Sequence, residues 1–411
     1  MKWLIIYLGA TKRPEHVCSG RFLRFIKSDE RKISMGIFSV KTKIVFGDGL
    51  SSQVDQFTKA FVVTDPFMVS SGKISYVTDC LMRAGKEYKV FSDVTVDPGI
   101  EVVTAGVSQI IEFQPDAVVC MGGGAAIDAA KAIVYFAKKT NQIGEVAFLA
   151  IPTTSGTGSE VTSFSVISDK EKQIKYPLID ESLVPDIAIL DATLVTSAPP
   201  SITADTGIDV LTHAIEAYVS VNHNDFSDAV AAKAIELVKA NLMRCYKTPN
   251  DLEARQGMHN ASCLAGIAFS NAGLGLCHGM AHALGAHFHI PHGRANGILL
   301  PYVMSFNAGC SESLTPAVDR YAQIARILEM ESPTVRQSAL NVIRMTRRYV
   351  KLLNVPPTIA AAGVLEQDFE EQLDDMAKSA LADRCTASNP TECTLEDIKK
   401  VYRKAYIGKL P

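Results

Sequence analysis

Apolar positions along the chain fall into two regimes. Up to about residue 200, short β-rich runs recur at 60–65 (AFVVTD), 89–92 (KVFS), 117–121 (AVVCM), 147–152 (AFLAIP) and 187–190 (IAIL). Between the earlier runs, apolar residues take helical spacing over 76–84 and 102–113. Short apolar runs bounded by turn residues read as buried strands, and their alternation with helices predicts a parallel sheet covered on both faces. After Pro199-Pro200 the strand runs stop. Amphipathic helical patterns then fill 209–220, 225–242, 252–269, 315–328, 335–353, 368–382 and 395–406. The expected class is an α/β N-terminal domain with a Rossmann-like parallel sheet, residues 35–200, followed by an all-α domain, residues 201–411.

The first 34 residues stand outside this pattern. They hold eight basic and three acidic side chains, a net +5 that leaves −8 for the rest of a 411-residue chain of net charge −3. Residues 21–28 place Phe22, Phe25 and Ile26 at helical spacing. The segment reads as an unstructured extension or a start placed ahead of Met35, with a docking helix as the alternative. A near-neutral chain with 47% hydrophobic and 21% charged residues is an ordinary globular protein. It has no charge bias towards nucleic acid or an anionic membrane. Nine scattered cysteines without a CxxC pair predict free thiols in a reducing cytoplasm. The early apolar run 3–10 is too short to span a membrane and lacks a convincing cleavage site.

Three loops of the first domain suit a dinucleotide. Gly122-Gly123-Gly124 follows a strand and opens a helix, where the backbone can approach an anion and helix N–H groups are free. It is neither GxGxxG nor a Walker loop, so a plain tight turn remains open. The loop 151–160 (IPTTSGTGSE) adds hydroxyls at Thr153, Thr154, Ser155, Thr157 and Ser159, against the plainer reading of a surface loop. Asp65 ends a strand, where a carboxylate can bond ribose hydroxyls and repel a 2′-phosphate, or simply cap a helix.

Six of the nine histidines fall between 259 and 292. Asp209 and His213, four apart on a predicted helix, share one face. His278, His282 and His292 lie in a segment dense in glycine and histidine. Three imidazoles and a carboxylate suit a divalent transition metal such as Fe(II) or Zn(II), the alternative being a polar helix interface.

GGGAAIDAAKAI (122–133), IPTTSGTGSE (151–160), TGIDVLTHAIEAY (206–218), GLGLCHGMAHALG (273–285) and HIPHG (289–293) resemble the iron-containing (group III) alcohol dehydrogenases, over about Met35 to Tyr406. KYPLID (175–180) and the MGIFSVKTKIVFGDG opening are most similar to propanol and ethanol dehydrogenases of propanediol or ethanolamine breakdown. The resemblance implies the shared dehydroquinate synthase-like fold, and metal ligands Asp209, His213, His278 and His292. His282 is placed beside the nicotinamide, as a proton relay rather than a ligand. NAD(H) is expected along Asp65, Gly123, Gly124, Thr153, Thr154, Thr162 and Lys175. Phe164, Val166, Phe269 and Leu274 are expected to line an apolar substrate pocket. Fe(II) is the expected metal, with Zn(II) as the alternative. The implied activity is hydride transfer between NAD(H) and a small aliphatic alcohol or aldehyde, in a homodimer or larger homo-oligomer. Free residence in the cytoplasm and residence in a microcompartment both stay open. Lactaldehyde, 1,2-propanediol, 1,3-propanediol or glycerol chemistry are alternatives, as is a dehydroquinate synthase-like lyase. Three departures stand out: Ala125 where many members carry serine, Cys277 beside His278, a candidate site of oxidation, and the 1–34 extension, which has no counterpart in the family pattern.

Overall fold

Eight strands and thirteen α-helices account for most of the described residues. The computed structural model describes residues 36–47, 49–169 and 174–410, without the side chains of Ile174 and Lys175. The basic segment 1–34, its 21–28 helix and the Lys175 side chain therefore lie outside the described residues. Of the unit Met1–Ile37 only Gly36 and Ile37 are described; Phe38–Pro411 form a second, compact unit.

The N-terminal half reads β1 (Lys43–Phe46), β2 (Lys59–Thr64), α1 (Pro66–Ser70), α2 (Ser75–Arg83), β3 (Glu87–Phe91), α3 (Ile100–Phe113), β4 (Ala117–Gly122), α4 (Gly124–Lys139), β5 (Ala147–Pro152), β6 (Phe164–Asp169), β7 (Ile174–Ile179) and β8 (Ile187–Leu190). Six strands form one parallel sheet in the order β1-β8-β5-β4-β2-β3. The expected two-sided cover is present. Along β4, Val118 and Cys120 pack into a core with Ile127 and Ile133 of α4, while Val119 and Met121 pack with Leu81 of α2 on the opposite face. Burying one such aliphatic side chain is worth about 1.5–3 kcal/mol, so the strands need no polar face and show no alternation.

β6 and β7 pair antiparallel, outside the main sheet. Sequence patterning did not single them out as strands: Pro177 sits inside β7, and proline within a run ordinarily argues against a strand. A two-stranded ribbon has room for it.

The helical half comprises α5 (Pro200–Val219), α6 (Asp225–Lys247), α7 (Leu252–Ala272), α8 (Leu276–Phe288), α9 (His292–Asn307), α10 (Val318–Ile327), α11 (Val335–Leu352), α12 (Glu366–Ala382) and α13 (Leu395–Ile407). α5 starts nine residues before the periodicity predicts. Its first turns bury Thr203, Ala204, Asp205 and Gly207, which carry no apolar signal, and Pro200 sits in the first turn, where proline fits. α8 and α9 were hidden for a related reason. Glycine and histidine are weak helix formers, and α8 depends on capping groups that come from distant elements. Among the described residues no single helix is long and apolar enough to cross a membrane. α7 and α8 meet at 106° across a three-residue break. Gly273 turns the chain there with φ +80°.

Candidate active site

Strand order places the first half of the site. From β2 the chain winds outwards to β3, whereas β4, β5 and β8 build the sheet in the opposite direction. The switch point lies between the carboxyl ends of β2 and β4, where open α/β sheets hold ligands. Asp65 follows β2 and Gly122 ends β4; a Cβ on Gly122 would lie 3.4 Å from Asp65 Oδ2. Asp65 also caps α1, its Oδ1 accepting from the Met68 N–H at 3.1 Å. The loop after β5 lies across the glycines. Thr153 N–H donates to the Gly122 carbonyl at 2.9 Å, and the Thr154 methyl lies 3.4 Å from a Cβ position on Gly123. A Cβ on Gly124 would come within 2.7 Å of Thr157, so glycine there lets the loops close together. α4 starts at this junction with no side-chain cap, which leaves its first N–H groups facing the loops.

Behind the loops, α4 grips the segment that follows them. Lys131 is 1% exposed. Its Nζ donates to Ser159 Oγ (3.1 Å), the Thr162 carbonyl (2.8 Å), Thr162 Oγ1 (2.9 Å) and the Phe164 carbonyl (2.8 Å). Asp128 accepts from Ser159 Oγ at 2.6 Å and from Val166 N–H at 3.1 Å. Thr162 thus spends its hydroxyl on Lys131, and Phe164 and Val166 are held on the α4 side. Burial pushes the Lys131 ammonium down to about 8, against the pull of Asp128 and Glu160. Burial raises Asp128, with Lys131 opposing, and pushes Glu160 up to about 7.

That shift at Glu160 makes a stability prediction. A folded-state value of about 7 above the ordinary 4.5 means a proton taken up on folding. The contribution is complete below pH 4.5 and is lost as pH rises through 7. Glu160→Gln is expected to melt like the parent near pH 5 and to be more stable at pH 8 by about 1–3 kcal/mol. Thermal unfolding at both pH values checks this; an equal difference at both would contradict it.

The second half of the site is built by α5, α8 and α9. Asp209, His213, His278 and His292 each bring a donor atom to within 4.8 Å of the others. Asp209 and His213 come from one face of α5, His278 from the first turn of α8, and His292 from the first residue of α9. The His213 and His278 rings stack at 4.7 Å, and His278 and His292 lie 5.4 Å apart. Asp209 Oδ1 stands 3.7 Å from His278 Nε2 and 3.5 Å from His292 Nε2. Burial opposes ionisation of Asp209, but His213, His292, His278 and the Asn296 amide outweigh it and hold it below the usual carboxylate range. Burial, with repulsion from His213 and His292, keeps the His278 imidazole neutral. His213 Nδ1 is buried without a hydrogen-bond partner. Three imidazoles around a carboxylate held in its ionised range match the donor chemistry of a divalent transition metal.

Phe269 lies against this cluster, its ring 4.7 Å from that of His213, and Leu274 sits at the α7–α8 bend. His282, one turn after His278, is nearly half exposed and parallel to His292 at 5.3 Å. Its Nδ1 meets Asp383 Oδ2 at 2.8 Å. Burial opposes ionisation of Asp383, but the bonds from His282 and the Cys385 N–H hold it low. Cys277 is fully buried against Asn296 at 3.6 Å, and burial with the Glu216 and Asp209 charges raises its thiol well above the usual value. A buried, protonated thiol is a poor target for oxidation, which removes the oxidation expected there.

Five partners were missed, four of them close in sequence to a motif already singled out. Asp128 and Lys131 stand in the glycine-loop motif itself, three apart. Glu216 extends the Asp209–His213 face by a further turn. Asn296, four after His292, donates its amide to Asp209 Oδ1 at 2.7 Å. Each was recoverable by following a helical face one turn past the singled-out residue. Asp383 carries no such signal, because it meets His282 across 101 residues.

Residues 41–192 match the family described as iron-containing alcohol dehydrogenase, and residues 203–406 match the C-terminal part of the Fe-containing alcohol dehydrogenase family. The chain is 40% identical over 388 residues to an NADPH-dependent butanol dehydrogenase of Clostridium saccharobutylicum, covering 90% of this chain and 98% of that protein. It is 43% identical over 376 residues to a 1-propanol dehydrogenase of Salmonella typhimurium, covering 90% and 100%. An iron-containing alcohol dehydrogenase structure from Thermococcus thioreducens superposes with a TM-score of 0.82 at 35% identity, covering 91% and 100%. The chain belongs to the iron-containing alcohol dehydrogenase family and is an oxidoreductase.

Proposed function

We propose that this protein interconverts a small aliphatic alcohol, of the propanol or ethanol kind, and its aldehyde. In this reading Asp209, His213, His278 and His292 hold a divalent iron. NAD(H) lies along Asp65, Gly123, Gly124, Thr153, Thr154, Thr162 and Lys175. The observation that carries the proposal is the convergence of four donors within 4.8 Å beside the apolar ring of Phe269. The metal would supply a Lewis-acid pole for the substrate oxygen, and the nicotinamide the hydride chemistry.

The chain's own residues do the rest. The glycine loops and the α4 N-terminus bind the pyrophosphate by backbone N–H groups. Phe164, Val166, Phe269 and Leu274 exclude water from the substrate's carbon chain, which favours a short unbranched alcohol over a polyol. His282, oriented by Asp383, passes the alcohol proton towards solvent from its exposed side. Asp65 beside the glycine loop favours NADH by repelling a 2′-phosphate. The eight described cysteines are all free, in keeping with a reducing cytoplasm. We extend the proposal to a homodimer or larger homo-oligomer, housed free or in a microcompartment.

Anaerobic purification, metal analysis, and NADH and NADPH oxidation across C2–C4 aldehydes test the reading. Bound iron, and faster turnover with NADH on C2–C4 aldehydes, are expected. Equal rates with both coenzymes would contradict the role of Asp65, and no turnover by metal-loaded protein would overturn the activity.

A further inference from the structure

A third acidic or metal-binding side chain stands on the same face of α5. Asp209, His213 and Glu216 follow at i, i+4 and i+7, so Glu216 projects in line with the two donors. It is 3% exposed, and a buried carboxylate must have its oxygens satisfied. Its partners all lie at the start of α8. Oε1 accepts from the Cys277 N–H at 2.7 Å. Oε2 accepts from the Gly275 N–H at 3.0 Å and bonds His278 Nδ1 at 2.6 Å.

α8 has no cap of its own, since its N-cap residue is Gly275. The duty passes to two remote side chains: Glu216 takes the N–H groups of Gly275 and Cys277, and Asn389 Oδ1 takes that of Leu276 at 3.1 Å. Approach is close enough to require glycine. A Cβ at 275 would lie 2.8 Å from Glu216 Oε1 and 3.1 Å from Asn389 Oδ1.

We propose that Glu216 is a positioning residue for the metal centre. Its bond to Nδ1 fixes the His278 ring so that Nε2 faces Asp209, and the same carboxylate sets where α8 begins. Histidine ligands are commonly held by a carboxylate on the far ring nitrogen, and losing it weakens metal binding about 10–100-fold. Here the holding group doubles as a helix cap, so metal affinity and the start of α8 depend on one side chain. The inference rests on the ligand set proposed above.

The test compares the parent, Glu216→Gln, Asn389→Ala and His213→Ala, each stripped of metal and titrated with Co(II) against a chelator. Glu216→Gln keeps one acceptor oxygen but cannot serve Cys277, Gly275 and His278 together. It is expected to bind Co(II) about 10–100-fold more weakly and to show an altered ligand-field absorption spectrum. Asn389→Ala removes a cap that does not touch His278, so it should melt earlier without metal yet bind Co(II) as the parent does. If Glu216→Gln loses melting temperature but keeps the parent's Co(II) affinity and spectrum, Glu216 is a cap alone and the proposal fails. Should Glu216→Gln not fold, Glu216→Asp, which withdraws the carboxylate from His278, is read by the same criteria. His213→Ala separates the two levels: parent-like Co(II) binding there would overturn the ligand set itself, not Glu216 in particular.

Discussion

Replacing His278 by alanine is expected to remove bound metal and catalytic turnover together, the latter by about a thousandfold or more. This histidine sits at the middle of the donor cluster, stacked on His213 and facing Asp209. Without it, two imidazoles and one carboxylate remain. The damage to the fold should be smaller. Glu216 loses its imidazole partner, but burial already pushes that carboxyl up to about 7, and it keeps two backbone N–H partners. It can therefore take up a proton instead of remaining a buried unpaired charge, and a loss of about 1–3 kcal/mol is expected. Metal analysis alongside turnover of the same preparation checks this. A variant that keeps its metal and its activity would overturn the assignment of His278.

Lys131→Met should act in the opposite way, mainly on the fold. Methionine nearly matches the lysine stem, so little packing is lost. What disappears is the amine that reaches Ser159, Thr162 and Phe164 from α4. Asp128 stays behind, half-buried, and the Thr162 and Phe164 carbonyls lose their donor. Leaving buried acceptors unsatisfied costs about 1–3 kcal/mol each, which denaturant unfolding would register. The loop across the glycines is then less firmly held, and NADH binding should weaken about tenfold, equivalent to about 1.4 kcal/mol. Unchanged unfolding and unchanged NADH affinity would show that the buried amine is dispensable.

The parts of this protein that could be read from its sequence are those whose signal is local. β4 and β5 are runs of buried residues on both faces, and a sheet strand with no wet side has no other pattern to show. α6, α7, α11, α12 and α13 each repeat apolar residues at helical spacing, and their observed limits fall within five residues of those expected. Asp209 and His213 were visible because one helix turn brings them together. What stayed hidden depends on distant partners. α8 is a poor helix former that starts where Glu216 and Asn389 cap it, from 59 and 113 residues away. Lys131 looked like an ordinary helix lysine, and only the folded chain places four oxygens around its amine. The roles of the Asp and His residues came from resemblance; composition and spacing alone pointed to a metal site, with a polar helix interface as the alternative.

The four donors differ sharply in how they are tied down, and this bears on the rate at which the centre exchanges its ion. Asp209, His213 and His278 are at least nine-tenths buried, and α5 is enclosed on nearly every side from Thr203 to Val219. Amides in such a helix open only when the whole protein does. His292 is different: its side chain is 42% exposed, and it begins α9, where helices fray. An ion held there as proposed would enter and leave past His292, through a fluctuation confined to one helix turn. Its exchange would be governed by that local opening and not by global stability, so a chelator is expected to empty the centre while the protein stays folded.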